Sequence, residues 1–536
     1  MQLIPTKISQ TKLILSVTLF ITLFHNATFI QKFTDAYSGT DLFWLHLISL
    51  ILLHGSIVAV VLSFAGFSRS LKPSIIVMLL LSSMTSYFID TYHVVIDTGM
   101  IANIFETDST EVSDILNLRL SFYIFTIGLA PAFLVYKIPL SSGAFRHSLL
   151  KRFGMIVCCI SVLFGLIYLS SDFYTSFFRA NKLIRYYANP TTPIYSLFKY
   201  ADSKLREHGL KTLIQLGNDA KVPSTDTEYE LVVLVVGETA RSDHFSLNGY
   251  KRETNPLLSQ EHVVSFRNIH SCGTSTAVSV PCMFSFLERD EYDEDQAKST
   301  ENVLDILQKA GVRVLWRDNN SGSKGVANRI EYESFRHSGI NPICDLECRD
   351  EGMLVYLDDW VDQNKNSDIL IVLHQIGSHG PAYFKRYPQT FERFKPTCRS
   401  NLLSSCTRQE VINTYDNTLL YTDHFLSRVI HWLKHKSPKY ETSMLYISDH
   451  GESLGESGIY LHGLPFSFAP IEQTHVPMII WSPEENRDID IEALRHIINQ
   501  PLSQDNLFHT LLGLFEIESG VYQISKDILK FGINHS

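Results

Sequence analysis

Glu238, His379, Asp449 and His450 share one sequence context: each follows closely on a short apolar run. Residues 231–236 (LVVLVV) lead into Gly237-Glu238-Thr239, and 369–373 (ILIVL) into His374-Gln-Ile-Gly-Ser-His379. Residues 444–448 lead into Asp449-His450-Gly451-Glu452. Carboxylate oxygens and imidazole nitrogens are suitable zinc ligands, and a catalytic zinc site keeps one position open for substrate or nucleophile. Glu238, Asp449 and His450 can supply three such ligands. A hydroxyl at the open position loses its proton more readily, which makes a poor nucleophile useful. Candidate hydroxyls lie in Ser271-Cys-Gly-Thr-Ser-Thr276-Ala. There Gly273 permits a tight turn, and Thr-Ser-Thr can cap a helix whose N-terminus faces a phosphate. Spacing alone does not separate Thr274, Ser275 and Thr276.

The elements that must position these groups read as an α/β fold. The apolar runs, with a fourth at 312–316 that ends in Arg317-Asp-Asn-Asn320, show no alternation. Unbroken apolarity indicates strands buried on both faces, as in a parallel sheet. Helical patterns at 302–309 and 413–435 fall between them, giving the alternation of an α/β domain. Open α/β sheets bind ligands at the carboxyl ends of their strands. Three of the four strand ends here carry a residue able to bind metal.

The other part of the 536-residue chain is membrane-like. Apolar stretches at 12–30, 43–67, 72–92, 119–136 and 153–171 each approach the roughly 20 residues needed to span a bilayer. Lys7, Lys12, Arg69, Lys72, Lys137, Arg146, Lys151 and Arg152 flank one side of these spans and mark it as cytoplasmic. Five spans with the N-terminus inside place the C-terminal domain outside. The expected divisions are a transmembrane domain at 1–172, an amphipathic bridging segment at 173–222 and an exported catalytic domain at 223–536. The bridge mixes Phe177, Phe178, Tyr186 and Tyr187 with Arg179, Lys182 and Arg185, which suits a membrane surface. Asn189-Pro-Thr-Thr-Pro193 interrupts it, predicting two short helices.

Cysteine usage agrees with export. Cys158 and Cys159 fall in the fifth span, while Cys272, Cys282, Cys344, Cys348, Cys398 and Cys406 form three close pairs in the exported part. Clustering favours Cys272–Cys282, Cys344–Cys348 and Cys398–Cys406 disulfides. A zinc cluster is the rival reading of Cys344-x-x-x-Cys348. A net charge of −10 without a basic patch argues against nucleic acid as a partner.

Gly237-Glu-Thr-Ala-Arg241, Ser271-Cys-Gly-Thr-Ser-Thr276-Ala, Pro281-Cys-Met-Phe284, His379-Gly-Pro381 and Ser448-Asp-His-Gly-Glu-Ser-Leu-Gly455 closely resemble motifs of the phosphoethanolamine–lipid A transferases, which include the mobile colistin-resistance enzymes. The resemblance spans the whole chain. It implies an α-helical five-span transmembrane domain followed by an exported α/β domain of alkaline-phosphatase/sulfatase-like type. It also implies zinc-dependent transfer of phosphoethanolamine from phosphatidylethanolamine to a lipid A phosphate in the bacterial periplasm. The attendant loss of negative charge would confer polymyxin and colistin resistance. A monomer embedded in the inner membrane is expected.

Carried over to this chain, the resemblance makes Thr276 the nucleophile, and Glu238, Asp449 and His450 the residues that hold the activating zinc. His379 and His462 match positions that line the substrate site and can hold a second zinc. Asn320, Ser321 and Lys324 match substrate-contacting residues. Asn103, Thr107 and Glu111, spaced to share one helical face, match a face that helps bind the donor headgroup. One departure stands out: some relatives have a cysteine pair where this chain has Ser323 and Ala327, which would leave the Lys324 loop more mobile. His374 and His475 read as structural.

Three alternatives share parts of this pattern. A transferase acting on core sugars of lipopolysaccharide differs only in acceptor. A hydrolase of the same fold would pass the group to water, typically through Ser or a modified Cys in Cys-x-Pro-x-Arg, which is not found here. A catalytically dead scaffold would lack one or more ligands, and all are present.

Overall fold

The structure, a computed structural model, describes residues 7–66, 69–106, 112, 114–141, 145–207 and 212–531. The chain folds as two units: Met1–Ile101 with Leu116–Asp202, and Ala102–Ile115 with Ser203–Ser536.

The first unit is helical: α1 (Gln10–Phe24), α2 (Ala27–Tyr37), α3 (Phe43–Ala65), α4 (Leu71–Tyr92), α5 (Leu118–Lys137), α6 (Phe145–Leu169) and α7 (Ser171–Ala180). Among the described residues, α3–α6 each contain a stretch long and apolar enough to cross a membrane; α1 and α2, bent by 58°, make a fifth if counted as one span. The first predicted span is therefore broken at His25-Asn26. Polar side chains explain the break. Asn26 donates to the Ile21 and Asn189 carbonyls, and the His25 ring bonds Ser82 Oγ and the Ile127 carbonyl. Asn189, fully buried, donates in turn to Ser86 Oγ and the Ser82 carbonyl. Polar groups inside an apolar bundle are stable only when they satisfy one another in this way. On α6 only 11% of the apolar window is buried within the protein, so its side chains face outward, as on a lipid-facing helix.

The bridging segment is more divided than its sequence predicts. It forms α7, a 3-10 turn at Ile184–Tyr187 and a helix at Thr191–Glu207. Its first aromatic residues pack inward, the Phe177 ring 5.5 Å from that of Phe33 and Tyr187 buried, while Tyr195 and Phe198 on the last helix are exposed.

The second unit is built on an eight-stranded sheet in the order β10-β2-β9-β6-β1-β5-β3-β4, with the short β10 (Leu502–Ser503) and β4 (Glu331–Ser334) at its edges. Its central strands are β1 (Glu230–Gly237), β5 (Ile369–His374), β6 (Glu441–Ser448) and β3 (Arg313–Asp318). β6, β1, β5 and β3 run parallel, as expected, whereas β9 (His475–Trp481) is antiparallel to β6 and to β2 (Val264–His270). The sheet is thus mixed.

All eight residues of β1 are buried, and successive side chains enter opposite cores. Val232, Leu234 and Val236 pack with Phe284, Trp316 and Phe508; Leu231, Val233 and Val235 pack with Tyr415, Phe425 and Met444. Each such side chain contributes roughly 1.5–3 kcal/mol through burial. Four helices of this unit matter for the site: α8 (Thr276–Met283), α9 (Val303–Ala310), α10 (Arg408–Lys436) and α11 (Asn506–Leu514). α9 and α10 begin with capping boxes, Asn302/Asp305 and Thr407/Glu410, which satisfy the free N–H groups of their first turns.

Candidate active site

The order β6-β1-β5 brings three strand ends side by side. Glu238 follows β1, Asp449 and His450 follow β6, and the loop after β5 carries His379. Glu238, Asp449 and His450 are buried, and one ligand atom from each lies within 4.8 Å of the others. His450 Nε2 is 3.3 Å from Asp449 Oδ2 and 3.6 Å from Glu238 Oε1. Its Nδ1 lies 2.9 Å from the Gly451 carbonyl, which can only accept. Nδ1 therefore carries the proton, and the Nε2 lone pair faces the cluster.

Asp449 divides its oxygens in the same sense. Oδ1 accepts from the Thr239 and His450 backbone N–H groups, while Oδ2 is buried without a hydrogen-bond partner. An orphaned carboxylate oxygen beside an imidazole lone pair and a second carboxylate fits a divalent metal ion. Asn320 supports the set from outside: its amide donates to Glu238 Oε2 (2.8 Å) and to the Gln375 carbonyl (2.7 Å).

Thr276 is the first residue of α8, with Ser275 as its extended N-cap. Its Oγ1 is 3.1 Å from Glu238 Oε2 and 3.4 Å from His450 Nε2. The three hydroxyls that spacing left equivalent are now distinct. Thr274 Oγ1 donates to the Leu464 carbonyl at 2.7 Å, Ser275 makes no side-chain cap, and Thr276 points at the ligand cluster. The turn before α8 is tight: a Cβ on Gly273 would sit 2.9 Å from Ser279 Oγ and from Val278. The Cys272–Cys282 disulfide brackets the helix. Cys344–Cys348 and Cys398–Cys406 are also bridged, so the zinc-cluster reading of the second pair falls away.

His379 and His462 lie beside this cluster. The His462 ring centroid is 4.2 Å from that of His450 and 6.0 Å from that of His379. Burial pushes His462 down to about 3, with the neighbouring His450 acting in the same direction. Burial also holds His379 well below the usual histidine range, against the opposing pull of Glu238. Both imidazoles are therefore neutral near pH 7. For His450, burial acts downward, but the Asp449 and Glu238 carboxylates outweigh it and raise it.

Two residues of the site escaped the sequence reading. Glu452, fully buried, lies within 3.4 Å of His462 Nδ1, and burial raises its carboxyl well above the usual range. Its place in the Asp449-His-Gly-Glu452 stretch was an available signal. Arg386 had no local signal. Its guanidinium donates to the His379 carbonyl (2.6 Å), to Asp114 (2.9 Å) and to Glu347.

The remaining expected residues are more dispersed. Ser321 adjoins Asn320 and accepts from Lys324 Nζ at 3.0 Å. Lys324 lines a cleft of about 450 Å³ with Pro281, Ser285 and Asn302. Ser323 Oγ accepts from the Ala327 N–H, which ties the loop where a disulfide was noted as missing. Asn103 lies on the helix Thr98–Glu106, while Thr107 and Glu111 fall outside the described residues. His374 bonds Asp318 and His475 bonds the Arg267 carbonyl, both structural as expected.

A metal-competent cluster at the carboxyl ends of a sulfatase-type sheet, joined to a helical membrane unit, defines the class: a membrane-anchored enzyme of the alkaline-phosphatase/sulfatase fold. Residues 230–517 match the sulfatase family, and 55–205 match the family described as phosphoethanolamine transferase EptA/EptB. The chain is 43% identical over 522 residues to phosphatidylethanolamine transferase Mcr-1 of Escherichia coli, covering 95% of each. It is 40% identical to phosphoethanolamine transferase EptA of E. coli K12, covering 89% of this chain and 88% of that one. The solved integral membrane lipooligosaccharide phosphoethanolamine transferase A of Neisseria meningitidis superposes with a TM-score of 0.92 at 33% identity, covering 98% of this chain and 99% of that one. The chain belongs to the phosphoethanolamine transferase family.

Proposed function

We propose that this protein moves phosphoethanolamine from phosphatidylethanolamine to a phosphate of lipid A, through a covalent intermediate on Thr276. The observation that supports this most directly is the position of Thr276 Oγ1, 3.1 Å from Glu238 and 3.4 Å from His450 at the start of a helix. In this reading residues 1–172 anchor the protein in the inner membrane with the N-terminus inside. Residues 173–222 form the bridge, and 223–536 work in the periplasm beside both lipid substrates.

Glu238, Asp449 and His450, with Thr276 as fourth donor, form a set suited to tetrahedral zinc. Bound there, zinc supplies Lewis acidity that favours the threonine alkoxide and offsets charge on the phosphoryl oxygens. In the first step Thr276 Oγ1 gives up its proton and bonds to the donor's phosphorus. The bond to diacylglycerol breaks, and the departing oxygen takes up a proton. In the second step an oxygen of the lipid A phosphate bonds to the same phosphorus, and Thr276 leaves and regains its proton.

His379 and His462 enter neutral and can accept a proton without first losing one. They can also hold a second zinc. The backbone N–H groups at the start of α8 face the transferred phosphate. Asn320 also fixes Glu238, and with Ser321, Lys324, Asn103, Thr107 and Glu111 it binds the substrates, an acidic side chain suiting the donor's ammonium group.

Mass spectrometry of the purified enzyme incubated with phosphatidylethanolamine is expected to show a phosphoethanolamine adduct on Thr276, and none in Thr276→Ala. Retained transfer by Thr276→Ala would overturn the mechanism. Lipid A from cells with the protein should carry phosphoethanolamine, and those cells should be less susceptible to polymyxins. Unchanged lipid A, with modified core oligosaccharide, would reassign the acceptor.

A further inference from the structure

At the opposite ends of the strands that position the active site, three more carboxylates meet. Glu230 opens β1 and Glu441 opens β6, and the two are register partners across the sheet. Asp488 arrives from the segment after β9. One oxygen from each lies within 4.8 Å of the others. Glu230 is only 3% exposed, and its Oε2 is buried without a hydrogen-bond partner. Removing a carboxylate from water is costly unless something takes the place of that water.

The charged groups acting most strongly on this cluster are further carboxylates. Asp368 and Asp226 press on Glu230, and Glu228 and Asp226 on Glu441, in addition to Asp488. Burial, and then Asp368, push Glu230 up to about 10. Asp488, and then burial, push Glu441 up to about 8. Two states relieve such crowding: a shared proton or a bound cation. A proton shared between Glu230 and Asp368 relieves that one pair and leaves Glu441 and Asp488 crowded. A cation instead draws one oxygen from each of three residues.

We propose that Glu230, Glu441 and Asp488 form a calcium-binding site at the end of the sheet remote from the active site. The donors are all oxygen, with no thiol or imidazole among the three, which selects a hard cation over zinc. Calcium accepts irregular shells with bonds of about 2.3–2.6 Å, whereas magnesium demands a tighter octahedron. The site lies about 25 Å along β1 from Glu238, since eight residues of strand rise roughly 3.3 Å each. It clamps the first residues of β1 and β6 to the segment after β9, and so braces the strands whose far ends present Glu238 and Asp449. It is independent of the transfer reaction; only the supply of calcium rests on the exported placement.

The test uses the full-length, zinc-loaded protein in detergent, with Ca²⁺ alone as titrant and thermal unfolding as the readout. Ca²⁺ is expected to raise Tm, with a half-maximal effect between about 0.1 and 1 mM, the range of extracellular calcium modules. Mg²⁺ should act more weakly. Glu230→Gln should abolish the response, and Asp488→Asn or Glu441→Gln should weaken binding at least about tenfold, all with unchanged zinc content. If Glu230→Gln does not fold, the partly exposed Glu441 and Asp488 decide the matter as the double variant. A wild-type Tm indifferent to Ca²⁺ up to about 10 mM, tenfold above that range, would overturn the site. So would a response that survives in the double variant. A Tm that falls as pH rises from 6 to 9, without any calcium response, would assign the shared proton instead.

Discussion

Asn320 donates to Glu238 Oε2, which gives it a positioning role toward that carboxylate. Outer-shell partners of metal ligands are commonly worth 10–100-fold in metal affinity. Asn320→Ala is therefore expected to weaken zinc binding by about that factor, measured by competition with a chelating dye, with a matching loss of activity that excess zinc restores in part. His379 and His462 set a pH limit. Burial holds His462 down to about 3 and His379 well below its usual range, so below about pH 6.5 the unfolded chain binds more protons. Stability should fall as pH drops below 6.5, and a cation beside them acts in the same direction. Thermal unfolding between pH 7.5 and 5 should show this loss, smaller in His462→Gln. At this scale the sequence identified residue types but not their aim. Thr274 is removed from contention by a hydrogen bond to Leu464, 190 residues away, which no local pattern reports.

Among the elements, α8 depends on its bracket. The Cys272–Cys282 bridge closes a ten-residue separation, and chain-entropy arguments give about 2–3 kcal/mol for a loop of that size. The Cys272→Ser/Cys282→Ser variant should unfold at lower temperature and lose activity on warming before bulk unfolding, followed by paired activity and fluorescence melts. Arg386 joins three pieces of chain, the segment 102–115, the loop holding His379 and the turn at Glu347. Arg386→Ala strips the guanidinium from the buried Asp114 and the partly buried Glu347, a loss of about 3–5 kcal/mol in stability. Differential scanning calorimetry against wild type checks it. Strands were legible because apolar runs such as 231–236 report burial on both faces. The direction of β9 was hidden, since burial looks the same in parallel and antiparallel strands. The break at His25-Asn26 was hidden too, because the Asn189 that holds it lies far along the chain.

For the whole molecule, orientation is the property most open to test. An impermeant maleimide applied to intact spheroplasts is expected to label Lys251→Cys and spare Ser141→Cys, which lies in the segment joining α5 to α6. The reverse pattern would invert the topology. Basic residues around the spans carry this expectation, whereas nothing local revealed that 102–115 folds with the second unit. The strand-end placement of the ligands also fixes an order of events for a newly exported chain. Thr239 and Asp449, which hydrogen-bond directly, stand 210 residues apart, and Thr276 and His450 stand 174 apart. No fragment holding only β1 brings the donors together; β6 must first pair beside it. For the proposed zinc site, metal capture is thus a late step that reports completed folding, and a chain stalled before β6 docks would be unable to load zinc and so chemically silent.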